Sequence, residues 1–414
     1  MSKVRILVVT PYVAHREAGH GTGAFMDGLL RRLAQRHDVT LATFCDESEE
    51  PFIRDLQNSR IDVHVVPRHR GRYATVSANA WLALRRGLDL LSCLVTWTPY
   101  YARKWRQGAM VRLVNELTRT RQFDIVQLEL AFMAGYASAV KQGRIVLHEH
   151  DVAYRPAYRR YRRAKGAVRL VHYLDWCMWT KYELNAVKNA DGVLTVTPQD
   201  QALLKRLTRV STIGYLPRSV EMPVPRPGAT KDPATVLFVG SYAHVPNVDG
   251  AFEILRTVAP AVWREMPEAR FVLAGPHPPE ALREEARGHA RVTVTGFVKD
   301  LDALLRGSTI FLAPLRIGGG VKVKVLQAMA YALPVVTTPL GAEGIEGAVP
   351  GVSLLVGRTT SELCDAVCRL LRDPGYARSI GSAGFAAIQR FYSWERVLST
   401  LEEFYQTTVQ QRKV

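Results

Sequence analysis

One pattern restricts the fold more than any other: short β-rich runs alternate with amphipathic stretches, and the alternation occurs twice. In the first half VRILVVT (4–10) precedes GAFMDGLLRRLAQR (23–36). DVTLATF (38–44), IDVHVVP (61–67), FDIVQLE (123–129), GRIVLHEHD (143–151) and ADGVLTVT (190–197) follow. Strands separated by helical patterns predict a parallel sheet wrapped in helices. The alternation stops at PRSVEMPVPRPGATKDP (217–233), which is rich in proline and poor in apolar residues. It restarts with ATVLFVG (234–240), ARFVLAG (269–275), RVTVTGFV (291–298), STIFLAP (308–314), PVVTT (334–338) and GVSLLVG (351–357). The expected architecture is α/β, with two Rossmann-like domains facing across a cleft. We expect a first domain over 1–216, a proline-rich linker over 217–233 and a second domain over 234–390. The last helix, 391–414, is expected to return to the first domain.

Length and composition fit that division. A chain of 414 residues with 47% hydrophobic and 22% charged residues has apolar mass for two cores. The five cysteines form no CxxC pair, and Cys364 and Cys368 are spaced to share one helix face. This is the pattern of a reducing compartment, without a disulfide frame or zinc knuckle. The apolar run at the start is too short for a signal peptide, and 88–97 is far short of the ~20 residues a membrane helix needs. The expected location is cytoplasmic, with peripheral contact at the inner face of a membrane. The net charge of +17 is uneven. Residues 1–220 hold 34 Lys and Arg against 19 Asp and Glu, whereas 221–414 hold 21 against 19. Excess positive charge in one half points to an anionic partner.

The stretch APLRIGGGVKVKVLQAMAYALPVVTT (313–338) carries the clearest chemistry. A buried strand runs into Arg316 and three glycines, and a helix begins just beyond, near Val321–Lys322. The first amide groups of a helix lack partners and carry partial positive charge. Glycines let a ligand approach the backbone, and Arg316, Lys322 and Lys324 add full charges. This is an anion site suited to a diphosphate. It is not a P-loop, because GxxxxGK[ST] is absent. A glycine-rich connection with solvated lysines is the plainer alternative.

With these residues in view, the second half resembles the C-terminal domain of the retaining group 1 glycosyltransferases, a family 4-like group with the GT-B fold. VLFVGSYAHVPNVDG (236–250), ARFVLAGP (269–276), VTVTGFVKDLDALL (292–305), 310–338 and FYSWERV (391–397) follow the family's order and spacing. The first half is similar more weakly, through 4–36, LHEHDVAYRP (147–156) and 182–200. The resemblance implies transfer of a sugar from a UDP- or GDP-sugar to an acceptor with retention of anomeric configuration. It suits synthesis of cell-surface polysaccharide, glycolipid or glycoside. It implies that the donor diphosphate meets Lys324, Gly240, Ser241, Arg316, Gly319, Gly320, Val321 and Lys322. The nucleoside would lie against Phe297, Val298 and Gln327. His150 would act near the donor sugar, and Gly21 and Thr22 would face the acceptor. No metal is expected.

The chain departs from the family pattern. Two glutamates common in the family, eight residues apart, are replaced by Gly319 and Gln327. A carboxylate accepts from both ribose hydroxyls, whereas a glutamine amide offers one acceptor oxygen. That keeps two alternatives open: a non-catalytic homologue that binds a sugar nucleotide or a partner, and a nucleotide-sugar epimerase.

His148 and His150 share one side of a strand by alternation. They are read as a structural pair or, less favoured, as two zinc ligands lacking a third. Asp300 is expected to cap a helix over 301–306 rather than bind metal. The basic, aromatic segments 97–112 and 154–169 suit solvated helix faces, or an acceptor that is lipid-linked or phosphorylated beside an anionic membrane. No helix-turn-helix, zinc-finger or RNP pattern points to nucleic acid.

Overall fold

The computed structural model describes residues 3–15, 21–68, 92–93, 95–210, 212–224, 232, 234–318 and 320–410. Gly319, most of 225–233 and residues 16–20 lie outside the described residues. The chain divides into two compact units, Met1–Leu216 with Leu398–Val414, and Pro217–Val397.

The first unit holds a seven-stranded sheet in the order β3-β2-β1-β4-β5-β6-β7. Its strands are β1 Arg5–Thr10, β2 Asp38–Cys45, β3 Asp62–Pro67, β4 Ile125–Glu129, β5 Arg144–Glu149, β6 Gly192–Thr195 and β7 Ile213–Tyr215. All neighbouring pairs are parallel. Helices cover a parallel sheet on both faces, so its central strands must be apolar on both sides. That explains the nearly continuous burial of β1 and β4. The order reverses between β1 and β4.

The helix Trp394–Gln410 belongs to this unit from Leu398 onward. Its Leu401 and Tyr405 are fully buried. Phe404 fits because β6 and β7 present Gly192 and Gly214, where a Cβ would fall 2.8 and 2.7 Å from the ring. Any side chain at those two positions displaces the helix.

The second unit repeats the design with β8 Thr235–Val239, β9 Arg270–Ala274, β10 Val292–Gly296, β11 Ile310–Ala313, β12 Val335–Thr337 and β13 Leu355–Val356. The order is β10-β9-β8-β11-β12-β13, again parallel, and it reverses between β8 and β11. Buried Leu237, Phe238, Ile310, Phe311, Leu326 and Val336 anchor its core. Each such side chain contributes roughly 1.5–3 kcal/mol by leaving water. Residues 217–220 are buried with this unit, where Val220 joins the core and the Ser219 hydroxyl donates to the Tyr392 carbonyl at 2.7 Å. Cys364 and Cys368 are both buried on one helix, with sulfurs 3.9 Å apart. Asp300 accepts from the Ala303 amide at 2.9 Å and caps the helix Leu301–Gly307, as its position predicts.

Candidate functional site

In an open α/β sheet, ligands bind beyond the carboxyl ends of the strands where the strand order reverses. In the second unit that place lies between the ends of β8 and β11. Gly240 follows β8, and the loop 314–322 follows β11 and leads into the helix Val323–Ala330. Gly318 and Gly320 have φ of +124° and +64°, backbone that side chains disfavour, so glycine here is a requirement of the turn.

Lys324 lies in the first turn of that helix. Its ammonium donates to the Asn247 side-chain oxygen and stands 4.7 Å from the centre of the Phe238 ring. Asn247 in turn donates to the Ser241 carbonyl at 2.7 Å. A Cβ added to Gly240 would lie 2.7 Å from the Asn247 amide carbon and 2.8 Å from the Lys324 nitrogen. Gly240, Ser241, Asn247 and Lys324 therefore share one corner, and the missing side chain of Gly240 is what leaves room for the lysine. Gly275, after β9, sits so close that its Cβ would be 2.0 Å from the Gly240 carbonyl oxygen. Burial, and then the charge of Lys322, push the Lys324 ammonium down to about 7. An anion brought to this corner favours the charged form again.

The other predicted donor residues divide. Lys322 is buried and donates to the Gly320 carbonyl, which closes the turn. Val321 is partly buried against the core. Gln327 stands one helical turn beyond Lys324, on the same side of the helix. Phe297, just past β10, is 75% exposed, a large aromatic left open at the same edge of the sheet, while Val298 packs partly inward. Arg316 turns away from this group. It pairs with both oxygens of Asp249, at 2.7 and 3.1 Å, and with Glu253. Two carboxylates already neutralise its charge.

In the first unit His148 and His150 meet a third residue, Glu129, at the end of β4. The register places Glu129 beside His148. His148 Nδ1 lies 3.0 Å, and His150 Nε2 2.7 Å, from one Glu129 oxygen. Gln127 donates to the other oxygen at 2.5 Å, and the Tyr405 hydroxyl donates to Gln127 at 2.5 Å. All are buried. The Glu129 carboxyl is held far below its ordinary range: burial alone would raise it, and the two imidazoles more than reverse that. The three side chains form a two-histidine, one-carboxylate set with donor atoms within 4.8 Å of one another, of a type that holds zinc. Here hydrogen bonds within the set already occupy the facing atoms. Phe25, on the helix Gly21–Leu33, packs its ring near both imidazoles, 6.3 and 6.5 Å away. Gly21 and Thr22 form that helix's first turn.

Glu149 and Glu183 lie on the other side of β5. Glu183 accepts from the amides of Ala153 and Tyr154 at 2.5 and 3.0 Å, where the helix Tyr154–Arg163 begins, and burial pushes it up to about 7. Both Glu149 carboxyl oxygens are buried without a hydrogen-bond partner. Burial, then Glu183, raises the Glu149 carboxyl well above its usual range, which keeps it neutral. Glu129 escapes a reading of the sequence, as does the hold of Asn247 on Lys324. Their partners lie 19 and 77 residues away.

Comparison with known proteins bears on the second unit first. Residues 233–373 match the family described as glycosyl transferases group 1. The matched segment lies within the second unit and contains Gly240, Ser241, Phe297, Val298, Arg316, Lys322, Lys324 and Gln327, whereas Gly21, Thr22 and His150 lie before it.

An uncharacterized 44.6 kDa protein in the cps region of Klebsiella pneumoniae is 29% identical over 174 residues, 40% of this chain and 44% of that protein. A phosphatidyl-myo-inositol mannosyltransferase of Mycobacterium leprae is 28% identical over 182 residues, 42% of this chain and 46% of that protein. The chain thus spans less than half the length of the curated relatives it matches. Among solved structures, Anabaena HepE in complex with UDP and glucose superposes with a TM-score of 0.65 at 12% identity, over 99% of this chain and 100% of that one. The two units have the GT-B fold.

Proposed function

We propose that the chain is a glycosyltransferase that moves a sugar from a nucleotide-sugar donor to an acceptor and retains the anomeric configuration. The observation that carries this reading is the corner formed by Gly240, Asn247 and Lys324 at the strand-order reversal of a group 1 transferase unit. Cleaving a glycosyl–phosphate bond builds negative charge on the departing diphosphate. A lysine and the amides of a helix start, fixed in place beforehand, stabilise that charge without reorganising.

The diphosphate takes over the Lys324 ammonium from Asn247 and recharges it. The Gly320–Val321 amides and Lys322 complete the cradle. Arg316 braces the loop through Asp249 and Glu253. The base rests on Phe297 and Val298, and the ribose meets Gln327. The departing phosphate accepts the acceptor's proton on the same face of the sugar, so no protein nucleophile is required. His150 serves the sugar, held in one orientation by Glu129. UDP is the favoured nucleotide, since HepE binds it. The positive first half favours a phosphorylated or lipid-linked acceptor, in polysaccharide or glycolipid synthesis. No metal takes part.

The experiment is a calorimetric screen of UDP- and GDP-sugars, followed by NMR of the product's anomeric centre. Donor binding that Lys324→Ala weakens, with a retained configuration, supports the reading. Inversion overturns the stereochemical part, and binding that ignores Lys324 overturns the site. Gln327 favours a second reading, a homologue that binds sugar nucleotides without transferring. Tight binding with no turnover on any acceptor would establish it.

A further inference from the structure

The two basic, aromatic segments of the first unit behave differently in the structure. The earlier one packs inward, with Ala102 and Trp105 in the core. The later one, residues 154–171, stands out as the tip of a helical hairpin made by Tyr154–Arg163 and Ala167–Asn189. This tip holds seven Lys and Arg and no Asp or Glu. The long helix is buried only from Met178 onward. Its first turns expose Val168, Leu170 and Val171 to 57%, 63% and 64%. Among the described residues, nothing covers these three aliphatic side chains, which stand in solvent among cations.

Behind the tip lies an aromatic layer. Tyr161 stacks on Trp176 at 5.7 Å, and Tyr158 and Tyr173 flank Trp176 at 5.0 and 5.9 Å. Arg162 and Arg169 lie over the rings of Tyr158 and Tyr161. Aliphatic groups outermost, then tyrosine and tryptophan, with arginines alongside, is the sequence of chemistries met on crossing from acyl chains to charged head groups.

We propose that this hairpin tip docks the protein on an anionic lipid bilayer: Val168, Leu170 and Val171 enter the acyl boundary while Arg162, Arg163, Lys165 and Arg169 meet lipid phosphates. Arg155 and Arg160 are already paired with Asp200 and Asp175. Charge complementarity selects this occupant. A second copy of the chain would bring the same excess of cations against the same face. A nucleic acid would match the charge and leave the three aliphatic side chains in water. The tip belongs to the first unit, so the proposal stands whether or not the transferase reading does.

The test is flotation of the full-length protein with vesicles of phosphatidylcholine alone or mixed with phosphatidylglycerol. The expected result is binding to the anionic vesicles only, weakened by salt. Val168→Ser with Leu170→Ser and Val171→Ser should lower the partition coefficient at least tenfold, with UDP-glucose affinity and circular dichroism unchanged. Arg162→Ala with Arg163→Ala and Lys165→Ala should lower it about a hundredfold, near fivefold per basic residue. Failure to float with anionic vesicles, or equal binding by the serine variant, overturns the proposal. So does a duplex oligonucleotide that binds more tightly than the vesicles, or a dimer in solution that the serine variant dissolves.

Discussion

Glu129 and Glu149 end neighbouring strands of one sheet and are equally inaccessible, at 1% exposure each, yet the fold treats them oppositely. Glu129 is met by two imidazoles and an amide, so its carboxylate stays charged. Glu149 is met by no donor, so it takes up a proton. Burial sets the cost of a charge; the donors that accompany it decide whether the charge survives. Lys324 shows the same rule with the sign reversed. Burial pushes it toward neutrality, and an anion brought to it would favour the charged form again. Two sheets with the same order of strands thus carry unlike chemistry at equivalent ends.

The largest effect should come from Glu129. Glu129→Ala leaves two buried imidazoles without their acceptor and should cost about 3–5 kcal/mol in denaturant unfolding. Glu129→Gln, which keeps an acceptor oxygen, should cost less than half of that. Equal losses would mean that shape, rather than charge pairing, holds the cluster.

Lys324→Ala comes next and should weaken UDP-glucose binding about a hundredfold, the loss of a charge-assisted contact of roughly 1.5–3 kcal/mol. Gly240→Ala, which crowds the Lys324 nitrogen and Asn247, should weaken binding about tenfold with the lysine still present. Binding unaffected by the alanine at 240 would show that the donor does not use this corner.

The smallest effect contrasts most sharply with the first. The raised Glu149 carboxyl means that the folded state holds a proton which the unfolded chain releases near pH 4. Its contribution to stability is whole below that pH and is lost as pH rises toward the folded-state value. Glu183 acts in the same direction, up to about 7. Glu149→Gln should therefore stabilise the protein at pH 8, with a gain that shrinks toward pH 5. A gain independent of pH, or a loss, would contradict the reading of Glu149 as a buried neutral acid.

Much of the fold is legible in the sequence because buried parallel strands read as apolar runs. Every strand except the three-residue β7 is announced that way. The corner around Lys324 is half legible. Gly318, Gly320 and Lys324 advertise it by residue type at a strand-to-helix junction, whereas Asn247 reaches it only through the packing of a different helix. Arg316 misleads for the same reason, since Asp249 and Glu253 lie 67 and 63 residues away. The HEHD run shows two histidines on one side of a strand, but their partner depends on the register of β4 against β5. The exposed aliphatic tip at 168–171 looks, as sequence, like any helix core.

On the proposed reading Lys324 changes its protonation when it grips the donor's diphosphate, and calorimetry reads that change directly. UDP-glucose titrated at pH 8 in two buffers of different ionisation enthalpy should take up about one proton per site, because a lysine near 7 is mostly neutral there until the anion arrives. Lys324→Met should abolish both the uptake and most of the affinity. Tight binding without proton uptake, equally strong in the methionine variant, would contradict the central claim.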